Sequence, residues 1–177
     1  MNIERAKTID GWMYEVHLEW LARQAEHRMF IIELGSFVGR STRAICDNTH
    51  GQVWAVDKWV EDDPFPNAEL AYSMFCENMD DHLKSKKLEI VRMSTDDAFE
   101  KYFKLHYNFP FFDMVFIDAN HDYKQVKRDI SNYRQLVRPG GIVSGHDLNH
   151  PGVAMAVKEL QDTFQTDSLG HLWWITI

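Results

Sequence analysis

The chain has 177 residues, 45% hydrophobic and 26% charged, which is the make-up of one ordinary folded domain and not of a disordered or fibrous chain. Its net charge of −8 lacks the basic excess with which nucleic-acid binders meet phosphate, so no nucleic-acid partner is expected. Cys46 and Cys76 show no zinc-type spacing, the N-terminus MNIERAKTIDGW has no apolar signal core, and no apolar run nears the ~20 residues of a membrane span; a cytoplasmic protein with no membrane partner is expected.

Asp10 is placed to cap a first helix running to about residue 26, with Trp12, Met13, Val16 and Trp20 at helical spacing. The first strand is read at 29–34, the second helix at 39–48, and the second strand at 52–56, ending on Asp57. A polar loop over 58–67, with Pro64 and Pro66, leads to a helix over 68–83 whose apolar face holds Leu70, Met74, Phe75 and Met79. The third strand is 88–92, and Ser94-Thr95-Asp96-Asp97 reads as a helix start with a variant capping box. The fourth strand, 112–117, ends on Asp118, and the helix 123–136 stops before Pro139-Gly140-Gly141. The fifth strand, 142–145, ends near Asp147; a helix over 153–164 and a closing strand over 171–177 follow. Such alternation predicts an α/β fold, a Rossmann-like three-layer sandwich with a mostly parallel central sheet, as a single domain over 1–177. Ligands of such sheets bind beyond the carboxyl ends of the strands, and Glu33, Asp57, Ser94, Asp118, His146 and Asp147 all fall there.

The first strand runs into Glu33-Leu34-Gly35-Ser36-Phe37-Val38-Gly39-Arg40-Ser41. Strand, glycine turn, helix is the first ligand loop of a nucleotide-binding α/β fold. Phe37 stands where a dinucleotide site has the glycine that lets backbone approach a pyrophosphate. The loop therefore suits a nucleoside ligand without phosphate, of which S-adenosylmethionine (SAM) is the common one, and speaks against an NAD-linked oxidoreductase. Asp57 follows Gly35 by 22 residues, the spacing of a carboxylate that accepts from ribose hydroxyls.

Together with Met93-Ser94-Thr95-Asp96, Phe116-Ile117-Asp118-Ala119-Asn120-His121-Asp122-Tyr123 and Arg138-Pro139-Gly140-Gly141 through His146-Asp147, these segments resemble the class I SAM-dependent methyltransferases. The resemblance is to the catechol and caffeoyl-coenzyme A type and to the sugar and macrolide O-methyltransferases. It implies SAM as cofactor, held by Glu33, Gly35, Ser36, Phe37, Gly39, Ser41, Asp57, Lys58, Trp59, Met93, Ser94, Thr95 and Asp118. Within that set Glu33 would order the loop beside the methionine, Ser41 would hold the SAM carboxylate, and Met93 to Thr95 would line the adenine. Ser94 is equally explained as a helix cap, Ser41 as a helix start, and Trp59 as a core or lid residue.

The resemblance also implies that Asp118 approaches the acceptor hydroxyl and ligates a divalent metal, Mg or Mn, and that the position of His121 supplies a base. Histidine titrates near neutral pH, which suits that role. The remaining metal ligands would be His146 and Asp147, although Mg²⁺ prefers oxygen and His146 points to a softer ion or to no metal at all. The expected activity is O-methylation of a small hydroxylated molecule such as a sugar or polyol. The alternatives are a non-catalytic or regulatory SAM-binding protein and a macromolecular methyltransferase, the latter opposed by the acidic balance. Trp173-Trp174 reads as core, with a homodimer contact as the other reading.

Overall fold

The computed structural model describes residues 1–60, 67–160 and 163–177. The acidic run Glu61-Asp62-Asp63, with Pro64 and Pro66, lies outside the described residues, as do two positions of the helix expected over 153–164.

Five apolar runs become parallel strands because both their faces are covered. They are β1 (Phe30–Leu34), β2 (Gln52–Asp57), β3 (Leu88–Arg92), β4 (Phe112–Ile117) and β5 (Val137–Gly145). Two short strands, β6 (Gln165–Thr166) and β7 (Trp173–Thr176), close one edge in antiparallel fashion. The sheet order is β3-β2-β1-β4-β5-β7-β6. β1 thus pairs with β2 on one side and β4 on the other, and the chain changes winding direction between β1 and β4. That switch point opens a crevice at the carboxyl ends of the two strands, where doubly wound sheets bind ligands. The expected Rossmann-like, mostly parallel fold is what forms.

Residues alternate along β1 between two cores. Ile31 packs with α1 (Glu4–Thr8), α2 (Glu15–Ala25), α3 (Arg40–Asn48) and α4 (Ala68–Asn78) through Ala6, Leu18, Leu21, Ala44, Ile45 and Phe75. Ile32 and Leu34 face the opposite core, which also holds Trp54, Phe103, Tyr133 and Val153. After α5 (Asp80–Lys84) and β3, that second side is built by α6 (Thr95–Asp97), a π-helical stretch Ala98–Phe103, α7 (Lys104–His106), α8 (Tyr123–Arg134) and α9 (Pro151–Lys158).

Several boundaries differ from the expected ones. The first helix does not start at Asp10: α2 begins at Glu15, after a bend at Gly11, and the short α1 precedes it. The reason is Arg40, whose guanidinium collects the carbonyls of Lys7 (3.0 Å), Ile9 (2.5 Å) and Met13 (2.9 Å). Carbonyls committed to a side chain in this way do not continue a helix. Of the expected apolar stripe, Met13 joins the core and Trp20 packs against it, but the other two residues face out. Trp12 is 73% exposed and Val16 46% exposed, while α2 buries His17, Leu18, Leu21, Ala22 and Ala25. The expected 68–83 helix breaks at Met79 into α4 and α5, and Leu70 faces out. β5 starts earlier than expected and carries Pro139-Gly140-Gly141 within it. Trp173 is fully buried, and Trp174 packs on Trp20 with 5.1 Å between ring centroids. No helix among the described residues is long and apolar enough to cross a membrane.

Candidate functional site

The loop after β1 is fixed by backbone hydrogen bonds to its neighbours and by the Asp57 carboxylate. The Gly35 N–H donates to the Val56 carbonyl at 2.8 Å, and the Asp118 N–H donates to the Leu34 carbonyl at 2.8 Å. Gly35 has φ +85, and a Cβ there would lie 2.1 Å from the Asp118 carbonyl oxygen. The Ser36 and Phe37 amides both donate to Oδ2 of Asp57 at 2.9 Å, and Oδ1 of Asp57 accepts from the Trp59 amide at 3.1 Å. Asp57 therefore stabilises the left-handed backbone of Phe37 (φ 48). A carboxylate has about four acceptor positions, so capacity is left for a ribose hydroxyl. The Phe37 ring lies against Trp12 at 5.2 Å, beside a cleft of about 290 Å³ lined by Asp10, Gly11, Trp12, Phe37, Val38 and Met74.

Trp59, placed by the resemblance among the cofactor-binding residues, takes the core position that was its other reading. It is 3% exposed, packs on Tyr72 and Phe75 at 5.1 and 5.0 Å, and donates from Nε1 to the Phe37 carbonyl at 2.7 Å. Lys58, just past β2, is half-buried. Ser94 is exposed and caps α6, its Oγ accepting from the Asp97 amide at 3.1 Å. Thr95 accepts from Gln125 at 3.2 Å, and Met93 stays exposed beside it.

Glu33 is fully buried. One of its oxygens accepts from the Ser36 hydroxyl at 2.8 Å and from the Thr42 hydroxyl; the other has no partner. Burial pushes its carboxyl up to about 7, against the opposing pull of the Ser41, Thr42 and Ser36 hydroxyls. Ser41 sits in the first turn of α3, whose N-cap is Gly39 (φ 94), near enough to the Glu33 carboxyl to favour its charged form. A pH dependence follows. In the unfolded chain Glu33 loses its proton near its ordinary value of 4.5, whereas in the folded chain it keeps the proton to about 7. The folded state binds more protons between those values, so stability falls as pH rises through that window, by of order 3 kcal/mol from this group. Denaturant melts of wild type and Glu33→Gln at pH 5 and pH 8 are expected to differ: the variant loses less stability over that rise. Equal losses would show that Glu33 ionises normally.

At the ends of β4 and β5 four titratable side chains converge. His121 Nε2 approaches Asp147 Oδ2 at 2.8 Å, and His146 Nδ1 lies 3.2 Å from Asp147 Oδ1 and 3.9 Å from Asp118 Oδ1. Burial pushes the Asp118 carboxyl up to about 6, with His146 pulling the other way and Asp147 reinforcing the rise. Burial alone would raise Asp147 too, yet His121 and His146 beside it hold it well below the usual carboxylate range. Contact with Asp147 raises His121, and the neighbouring carboxylates raise His146 against the cost of its burial. Asp147 has φ 55, a strained backbone for a non-glycine residue. His150 stands at the N-cap position of α9 without a side-chain cap bond, its ring 5.2 Å from that of His121.

Three residues not singled out from the sequence complete this corner. His17 on α2 is fully buried, and its Nδ1 lies 3.0 Å from His146 Nε2. Its Nε2 faces Asp167 Oδ2 at 3.3 Å. The His171 ring stands 5.8 Å from that of His146. The one sequence signal was a histidine on the buried face of α2. The metal ligands implied by the resemblance, Asp118, His146 and Asp147, fall into two overlapping sets that share Asp147. Asp118, His121 and Asp147 bring ligand atoms within 4.8 Å of one another, and so do His146, Asp147 and His171. Both mix nitrogen and oxygen donors, which fits a borderline divalent ion better than Mg²⁺.

Comparison with known proteins bears on the family and the fold. A family model described as "Methyltransferase domain" matches residues 32–148, well over half of the chain. No curated protein matches in sequence. Among solved structures, the O-methyltransferase from Bacillus cereus in complex with SAH is similar at 16% identity and TM-score 0.69, over 99% of this chain and 87% of that one. The O-methyltransferase TomG from Streptomyces achromogenes, in complex with SAM, is similar at 14% identity and TM-score 0.69, over 98% and 87%. CalS11, a TDP-rhamnose 3'-O-methyltransferase of calicheamicin biosynthesis, is similar at 14% identity and TM-score 0.63, over 91% and 77%. At such identities the structural likeness speaks for the fold, which is that of class I SAM-dependent methyltransferases, and the sequence model speaks for the family. With the glycine loop, the strand-end acids and this match together, the chain belongs to the methyltransferase-domain family.

Proposed function

We propose that the chain is a SAM-dependent O-methyltransferase of a small hydroxylated molecule, a sugar or polyol, with a divalent cation assisting. The observation that carries this reading is the packing of Gly35 against the backbone of Asp118, which sets the cofactor loop directly beside the Asp118, His121, His146 and Asp147 cluster. SAM would lie across the loop, with Asp57 on its ribose, Ser41 near its carboxylate and the Met93–Thr95 segment along its adenine. Glu33 shapes the loop from below through Ser36 and Thr42.

Bound SAM would supply its methyl group to the acceptor oxygen in line and leave as the neutral thioether SAH. The hydroxyl proton passes to Asp118 or, at the mouth of the site, to His121. Burial lifts Asp118 to about 6, closer to neutral pH, where a general base works best, and contact with Asp147 raises His121 above its ordinary value. A cation held at Asp147 would lower the hydroxyl pKa and orient the acceptor. TDP-rhamnose is the acceptor named for one of the similar structures, and it supports the choice of a sugar.

The test is release of S-adenosylhomocysteine (SAH) from SAM with a panel of nucleotide sugars, polyols and catechols. Acceptor-dependent SAH, with a methyl ether in the product, is the expected result. Tight SAM binding with no transfer to any member would favour the regulatory SAM-binding alternative.

A further inference from the structure

We propose that His146, Asp147 and His171 form a binding site for one zinc-class cation (Zn²⁺, Co²⁺ or Fe²⁺), with His17 and Asp167 as its outer support. The inference rests on the reading above for its catalytic meaning, whereas ion binding as such does not require methyl transfer.

The three side chains come from two segments that the fold ties together. The Leu148 amide donates to the His171 carbonyl at 2.9 Å, holding the end of β5 against the approach to β7. Asp167 fixes the second segment, accepting from the amides of His171 at 2.8 Å, Leu172 at 2.7 Å and Leu169 at 3.1 Å. The ligand atoms of His146, Asp147 and His171 then lie within 4.8 Å of one another, a separation that one ion bound at ~2.0–2.2 Å can bridge with small rotations.

The surroundings of His146 make the second argument. Its Nε2 lies 3.0 Å from Nδ1 of His17, whose own Nε2 is buried without a hydrogen-bond partner, 3.3 Å from Asp167 Oδ2. That contact turns the Nδ1 edge of His146 toward the acids, 3.2 Å from Asp147 Oδ1 and 3.9 Å from Asp118 Oδ1. An imidazole nitrogen and carboxylate oxygens thus meet in a corner where His146 is only 6% exposed, which is the donor set of a borderline cation.

The order Asp167, His17, His146, cation is also how metal-bound histidines are supported: the far ring nitrogen is held by a hydrogen-bond partner that fixes tautomer and orientation. Two imidazoles and one carboxylate select borderline ions over Mg²⁺, and three protein ligands leave positions open for water or an acceptor oxygen. The rival seat is the Asp118, His121 and Asp147 set, which shares only Asp147.

The test strips the full-length protein with a chelator and titrates it with Zn²⁺, Co²⁺ and Mg²⁺ by calorimetry, with Co²⁺ absorption as a second readout. One Zn²⁺ or Co²⁺ per chain is expected, with Mg²⁺ far weaker. His171→Ala should weaken Zn²⁺ at least ~10-fold and His17→Phe ~10–100-fold, while His121→Ala, which removes only a neighbour of Asp147, weakens it less than His171→Ala does. Circular dichroism confirms that each variant is folded, and His171→Gln replaces any that is not. Binding lost in His121→Ala but kept in His171→Ala would seat the ion on the rival set and overturn the proposal. Absence of Zn²⁺ and Co²⁺ binding would mean that a proton fills the corner, and would overturn it too. SAH titrated into the same samples keeps the two readings apart. SAH binding without metal binding defeats only the metal site, and metal binding without SAH binding defeats only the methyltransferase reading.

Discussion

Gly35→Ala is expected to destabilise this fold by ~2–6 kcal/mol. The new Cβ would sit 2.1 Å from the Asp118 carbonyl oxygen and 2.7 Å from the Ala119 Cα. Both are backbone atoms locked by the Asp118-to-Leu34 hydrogen bond, so no side chain can swing away. Overpacking of this kind costs ~1–3 kcal/mol and a side chain in the left-handed region a further ~1–3 kcal/mol. Together they approach the ~5–15 kcal/mol that holds a domain folded. Gly140→Ala is the matched control: its φ is +83, but nothing lies within 4 Å of the added atom. It should lose only the backbone part. Thermal and urea melts of both variants decide the matter. If Gly35→Ala melts with Gly140→Ala, the cofactor loop does not pack on β4 as described.

The second large effect is on turnover. Asp118→Ala is expected to lower kcat/KM by ~10³-fold, the order supplied by a positioned base, while SAH affinity changes less than about threefold. The carboxyl is 21% exposed and held up to about 6 by burial, so removing it relieves an unfavourable charge and should not weaken the fold. The backbone bond from Asp118 to Leu34 survives the substitution. Initial rates and SAH calorimetry on the same preparation separate chemistry from binding. Full turnover in this variant would remove Asp118 from the mechanism.

The parts of this molecule that were legible in the sequence share one physical cause. A parallel strand buried on both faces reads as an apolar run, and the polar residue that ends it marks the carboxyl edge. That is why Glu33, Asp57, Asp118 and Asp147 could be placed at strand ends before any coordinates. The Gly35 turn was readable because only glycine tolerates both its φ and its neighbour. The N-terminal segment was not readable, because Arg40, from 27 to 33 residues away, takes its carbonyls and sets where α2 can start. Trp59 fitted the core as well as the cofactor site until its packing on Phe75 showed the core, and Ser94 fitted a cap and a ligand equally until its bond to Asp97 showed the cap. His17 and His146 are separated by 129 residues, and no local pattern links them. Contacts at that range are set by the way the sheet is wound, which a periodicity argument does not reach.

The central claim is that the crevice between Gly35, Asp57 and Asp118 accepts an adenosyl sulfonium and not a dinucleotide. Calorimetric titration of the full-length protein with SAH, SAM and NAD tests it most directly. Saturable binding of SAH and SAM at one per chain, weakened in Asp57→Ala, with no heat from NAD, is the predicted result. NAD binding, or SAH affinity indifferent to Asp57→Ala, would contradict it.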